Sequence, residues 1–223
     1  MKPRLRGVRA DPISGRRRPG PVPRLSRELI GDAVLAAGFA DLTLTGIGEQ
    51  LAASHAALYR HIRDRDDLVV AGVERVVHLH PLPEADDWRA SLESAAWSRW
   101  EIYTRYPGLA GAVSANPAAQ DVLARQGFEL GRSLVASGIE VGLAVLAADI
   151  VLDLVRDTAR TAARLKDVPR DRLREAMERR LPEPEDHVIL QVVLEAVGGD
   201  PAYWMGRKLD VVLRGLDDLV DAR

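Results

Sequence analysis

This sequence predicts an all-α protein, on three grounds. Aromatic residues make up only 4% of the 223 positions and β-branched runs are short, while Ala, Leu, Arg and Glu dominate, a balance that favours helices. Apolar residues recur at spacings of three and four, the period of a helix that buries one face. Ser, Thr or Asp repeatedly stands just before such a stretch, where its side chain can cap a helix N-terminus.

Order is expected to begin at Ser26, the cap of a helix whose Leu29, Ile30, Ala33, Val34 and Ala37 line one face. Gly38 supplies the left-handed residue that ends it, and Phe39 folds back. Thr43 caps a second, short helix with Leu44, Ile47 and Leu51 inward. Ser54 caps a third with Leu58 and Ile62 inward. Asp64 caps a fourth, with Asp67 as its capping-box partner and Leu68, Val69, Val73, Val76 and Val77 along its apolar face. HPLPEADD, at 80–87, is a Pro-rich acidic break. Further helices are expected over 88–106, 120–137 (after a turn at Asn116 and Pro117), 139–165, part of the charged connector 166–186, 187–197 and 203–220. There is no internal repeat.

Several function classes are excluded. The chain has no cysteine, hence no disulfide framework and no thiolate metal site. It has no run of about 18 uncharged apolar residues to span a membrane and no apolar signal-peptide core, so a soluble cytoplasmic protein is expected. It has no Gly-rich phosphate loop, nucleophile elbow or HExxH, so neither enzymatic activity nor a cofactor is expected. His78 and His80 are the nearest metal candidates, but two histidines without a partner read as an interdomain linker, and no metal site is expected.

The formal net charge of −2 hides a gradient. Residues 1–24 carry eight Lys or Arg against Asp11 alone, giving +7. Residues 25–78 hold five basic and eight acidic residues, giving −3. The first segment, with Pro at 3, 12, 19, 21 and 23 and no apolar periodicity, reads as a disordered basic arm. Its Arg16, Arg17 and Arg18 are candidates for minor-groove or phosphate contact.

The stretch LAASHAALYRHIRDRDDL, at 51–68, concentrates polar residues that a core helix does not need. Two short capped helices joined by about three residues form a helix-turn-helix, whose second helix presents its N-terminal residues to base edges. His55 and Ala56, with neighbouring Thr45, are the candidate base readers. Small Ala56 and Ala57 allow close backbone approach. The capped N-termini at Thr43 and Ser54 favour phosphate, and Tyr59, Arg60 and His61 supply further donors. The pattern alone fits an ordinary helical bundle equally well.

At these residues the chain resembles the tetracycline-repressor-like (TetR) family of transcription regulators. LTLTGIGEQLAASHAALYRHIRDRDDLV is similar to that family's threonine-led helix, short turn, LY-x-H recognition helix and charged start to the next helix. Leu58, Tyr59 and His61 fall on LY-x-H. Arg65 falls where the family usually has a lysine that contacts phosphate, and Ala52 where it usually has glycine. The closing MGRKLDVVLRGLDDLV is similar to the family's last dimerisation helix. The resemblance implies a helix-turn-helix DNA-binding domain over 25–78 and a helical ligand-binding and dimerisation domain over 79–223.

For that second part, Trp97, Trp100, Tyr103, Phe128 and Trp204 form a candidate effector pocket, or equally plain core. Ala144, Ala147 and Ala148, with the stripe Leu209, Val212, Leu213 and Leu216, are the candidate dimer interface. The expected protein is a homodimeric repressor on a palindromic double-stranded DNA operator, released by a largely apolar small-molecule effector. Two rivals stay open: a small-molecule-binding or enzymatic bundle that does not act on DNA, and a nonspecific DNA-coating protein.

Overall fold

A computed structural model of the chain describes residues 25–180 and 187–221. Its helices are α1 (Arg27–Ala37), α2 (Leu44–Gln50), α3 (His55–Leu58), α4 (Arg65–Leu79), α5 (Trp88–Arg105), α6 (Leu109–Ala115), α7 (Pro117–Ala136), α8 (Val141–Leu165), α9 (Arg170–Glu178), α10 (His187–Gly198) and α11 (Pro201–Asp221). No strand occurs among the described residues, and no helix there is long and apolar enough to cross a membrane.

The first four helices start where the sequence places their caps. Ser26, Thr43 and Ser54 accept hydrogen bonds from the backbone N–H groups of Leu29, Gly46 and Ala57, at 3.1–3.2 Å. Asp64 accepts from Asp67 N–H at 2.8 Å. Asp67 does not close a capping box on the cap itself. It reaches one residue further back, accepting from Arg63 N–H at 2.9 Å. Helix α1 crosses α4 closely: a Cβ on Gly72 would come within 2.5 Å of Val34 Cγ1, and one on Gly31 within 2.8 Å of Ala71 O. Any side chain at either position forces the two helices apart.

Phe39, Ile47, Leu58, Ile62 and Leu68 are almost fully buried, and they continue into one core that reaches Leu216 in α11. Helix α4 packs on α1, α6 and α7, and α8 packs on α5, α7 and α11. Phe39 N–H donates to Pro107 O at 2.7 Å, tying the end of α1 to the end of α5. Gly108 makes this junction possible: its φ is +82°, and a Cβ there would strike Ala40 N at 2.5 Å.

Three elements differ from expectation. Helix α6 was not expected: its cap is left-handed Gly108, without a side-chain capping bond. Asn116 and Pro117 are not a free turn but the cap and first residue of α7, the placement proline favours. Helix α3 spans only four residues, so Tyr59, Arg60 and His61 lie in the hydrogen-bonded turns after it, where His61 N–H and Ile62 N–H both donate to Leu58 O.

Candidate nucleic-acid interface and interhelical cavity

The α2–α3 unit buries Ile47 and Leu58 and leaves a polar face outside. Thr43, Thr45, Ser54, His55, Ala56, Tyr59, Arg60 and Arg65 are exposed, while Ala57 and His61 are half-buried. Tyr59 keeps 54% of its surface. Its ring centroid lies 6.1 Å from that of His55, one helical turn earlier. Thr43 and Ser54 use hydroxyl oxygens as cap acceptors, which leaves each hydroxyl proton available to a phosphate oxygen. Arg65 is partly committed, since its Nε donates to Leu42 O at 3.1 Å. The turn into α3 passes through Ala52 at φ +49°, the left-handed position for which glycine is the usual solution.

Sequence reading missed two residues of this region. Arg63, just past buried Ile62, has a side chain 84% exposed; its place one residue before the Asp64 cap was the available signal. Arg27 on α1 donates to His61 O at 3.2 Å and pairs with Asp67 at 2.8 Å and Glu74 at 2.7 Å. It thereby clamps the turn after α3 to α1 and α4. Burial pushes the Asp67 carboxyl up, but the hydrogen bonds from Arg27 and from Arg63 N–H outweigh it and hold the group below the ordinary carboxylate range. Arg16, Arg17 and Arg18 lie outside the described residues.

Helices α5, α7 and α8 line a cavity of about 990 Å³ that is open to solvent on one side. Leu123, Phe128, Val135, Val145 and Leu152 make its walls apolar, and Arg99, Arg132, Asp149, Asp153 and Arg156 also line it. Of the expected pocket residues, Tyr103 and Phe128 line this cavity and Trp97, Trp100 and Trp204 do not. Trp100 is core. Trp97 projects from α5 against α11, where a Cβ on Gly206 would come 3.3 Å from its ring. Steps of three residues drift by about 60° around a helix, so Trp97 and Tyr103 face different neighbours.

The cavity is wired to the end of α4. Arg99 Nη2 donates to Gln126 Oε1 at 2.6 Å, and Gln126 Nε2 donates to His80 O at 2.9 Å. His80 Nε2 and Tyr106 Oη lie 2.9 Å apart. The expected linker histidine is thus a fixed joint.

The expected dimer stripe lies mostly inside the chain. Ala144, Ala147, Ala148, Leu209, Leu213 and Leu216 are buried in its own core, and Val212 is half-buried. These side chains are consumed where α8 and α11 pack within one chain. The outer faces carry exposed apolar residues instead: Leu146 and Ile150 on α8, Val188, Ile189 and Val192 on α10, and Tyr203, Val211 and Leu219 on α11.

No protein-family profile matches the chain, and no curated protein is similar to it. Solved structures are. The Streptomyces coelicolor TetR family protein ActR in complex with actinorhodin is 19% identical, with a TM-score of 0.67 over 88% of this chain and 98% of that one. The S. coelicolor transcriptional regulator SCO7222, a TetR, is 24% identical, with a TM-score of 0.67 over 88% and 99%. A TetR from Acinetobacter baumannii in complex with minocycline is 20% identical, with a TM-score of 0.62 over 88% and 98%. The chain has the fold of these TetR-family proteins.

Proposed function

We propose that the protein is a homodimeric, DNA-binding transcription repressor whose hold on a palindromic operator is released by a small molecule. One observation carries this reading: α3 buries Leu58 while Ser54, His55 and Ala56 at its capped N-terminus, and Tyr59 and Arg60 in the turn after it, are all exposed. That arrangement suits a helix entering the major groove, with small residues against the bases and donors for flanking phosphates. The DNA-binding part spans residues 25–78, taking in α1 to α3 and all but the last residue of α4, and residues 79–223, with the helices from α5 onward, form the effector and dimerisation part.

The fold supports the reading, since SCO7222 is named a transcriptional regulator and the ActR and A. baumannii TetR structures are named as ligand complexes. The α5–α7–α8 cavity is the effector site. The Arg99–Gln126–His80 chain is the route by which an occupant moves α4, and with it the recognition turn. An effector acts only as far as it binds one α4 position better than the other. A second copy of the chain covers the outer faces of α8 and α11, which places the two recognition units on symmetric half-sites.

Selection of bound duplexes from a random pool tests this. A palindrome with half-sites about one or more helical turns apart is the expected result. Retention of all sequences alike, with loss of binding at raised salt, would show a nonspecific coating protein; no retention at all would leave a bundle that does not act on DNA.

A further inference from the structure

The effector cavity is lined by a buried cation, Arg99, that pairs with no carboxylate among the described residues. Arg99 lies on the inward face of α5, among Leu92, Ala95, Ala96, Ile102 and Tyr103, and is only 3% exposed. Its Nη2 donates to the neutral amide oxygen of Gln126, and its strongest charged or ionisable neighbours are the Tyr103 phenol and the Arg156 guanidinium. No carboxylate pairs with it among the described residues. The two acids on the cavity wall, Asp149 and Asp153, are exposed on α8, and Asp153 is taken by Arg156 at 2.6 Å.

A guanidinium stays charged at any pH a folded protein survives. A buried charge facing only neutral groups and another cation is costly, and that cost is relieved when an anion arrives. We infer that the cavity takes an aromatic or polycyclic acid, with its carboxylate on Arg99 and its rings against Phe128, Leu123 and Leu152. The volume admits a ligand of several fused rings. Phe128, 64% exposed, offers a ring face to stack on. Burial lowers the affinity of the Arg99 guanidinium for its proton, with partial offset from Tyr103, which is the signature of a site lacking its counter-charge. The inference rests on the reading of this cavity as the effector site.

The test is a fluorescence titration of the full chain at pH 8 with 1-pyrenebutyrate and with its uncharged analogue 1-pyrenebutyramide. The acid is expected to bind about tenfold tighter or more, the scale of one charge-assisted hydrogen bond. Arg99→Met should bring acid and amide within about threefold by weakening the acid alone. Gln126→Glu, nearly isosteric, hands Arg99 an internal carboxylate and should erase the preference without opening a void. Arg132→Gln, at the cavity wall, should leave the preference in place. Failure of the acid to outbind the amide overturns the inference. So does a preference that survives both Arg99→Met and Gln126→Glu, or one that Arg132→Gln abolishes. A palindrome recovered by duplex selection alongside equal binding of acid and amide would remove this inference and leave the DNA reading intact; acid preference without duplex retention would do the reverse.

Discussion

Arg27 Nη2 lies 2.8 Å from Asp67 Oδ1, and the same guanidinium donates to His61 O at 3.2 Å. One side chain thus joins α1, the turn after α3 and the first turn of α4. Asp67 is buried and also receives Arg63 N–H. Its carboxyl titrates below the ordinary range, so its stabilising effect is full above about pH 4 and is lost as pH falls through the lower folded value. Asp67→Asn should cost about 2–3 kcal/mol at pH 7, the scale of hydrogen bonds to a charged group. Chemical denaturation of both proteins from pH 7 to pH 3 checks this: the gap between them should narrow in the acid. A constant gap would assign the loss to packing instead.

Ala52 holds φ +49° in the turn between α2 and α3. A left-handed backbone disfavours a Cβ by about 1–2 kcal/mol, and glycine returns part of that through its looser unfolded state. Ala52→Gly should therefore stabilise the protein by about 0.5–1 kcal/mol and raise Tm by about 1–4 °C. A lower Tm would mean that the turn tolerates alanine at no cost.

The caps of α1–α4 and the inward positions Leu58 and Ile62 were legible because they are local: a hydroxyl or carboxylate before an apolar period leaves few alternatives. Helix α6 was not legible, since LAGAVSA offers small residues and begins at a left-handed glycine in place of a capping side chain. The candidate dimer stripe falls on an inward face for a different reason. Helix α11 carries one apolar stripe, Leu209, Leu213 and Leu216, turned inward, while Tyr203, Val211 and Leu219 are scattered over its exposed side. Periodicity reports that a stripe is covered, not whether the cover is the same chain or another. Arg99 escaped notice because charge at a core position reads as noise, although the spacing from Leu92 through Ala95 to Ile102 and Tyr103 placed it on the buried face.

His55 and Tyr59 share one exposed face a turn apart, with different expected roles. His55→Ala should change which base pairs are preferred at one or two positions, by about 1–3 kcal/mol. Tyr59→Ala should weaken all duplexes alike. Binding of both variants to the selected operator and its single-base mutants separates the two. Unaltered preference in His55→Ala would remove that residue from base reading.

Val211 on α11 is 70% exposed, and Tyr203 and Leu219 are also exposed on the same helix. A charge there disturbs nothing inside the chain, yet is buried without a partner if a second copy covers the face, at several kcal/mol. Val211→Asp should sediment as a monomer with an unchanged helical circular dichroism signal and lose tight operator binding. Leu209→Asp, by contrast, strikes the chain's own core and should unfold it. A dimer undiminished in Val211→Asp would place the interface on another face.

Residues 25–78 carry −3, so the segment holding the recognition turn has little net attraction for a polyanion, while residues 1–24 carry +7 immediately before α1. Each phosphate neutralised adds about 0.9 to the slope of log affinity against log salt. If Arg16, Arg17 and Arg18 hold phosphates or enter a narrow minor groove, deleting residues 1–24 should flatten that slope by several units per dimer, since each copy contributes its own arm. Operator and random duplex should weaken together, because counterion release carries no sequence information. The fold should persist, since among the described residues the buried core begins at Ile30. Affinities measured for both duplexes between about 50 and 300 mM salt decide the matter. An identical slope in the truncated protein would show that the arm is electrostatically idle, and that the attraction comes from the cations of the recognition surface itself, Arg60, Arg63 and Arg65.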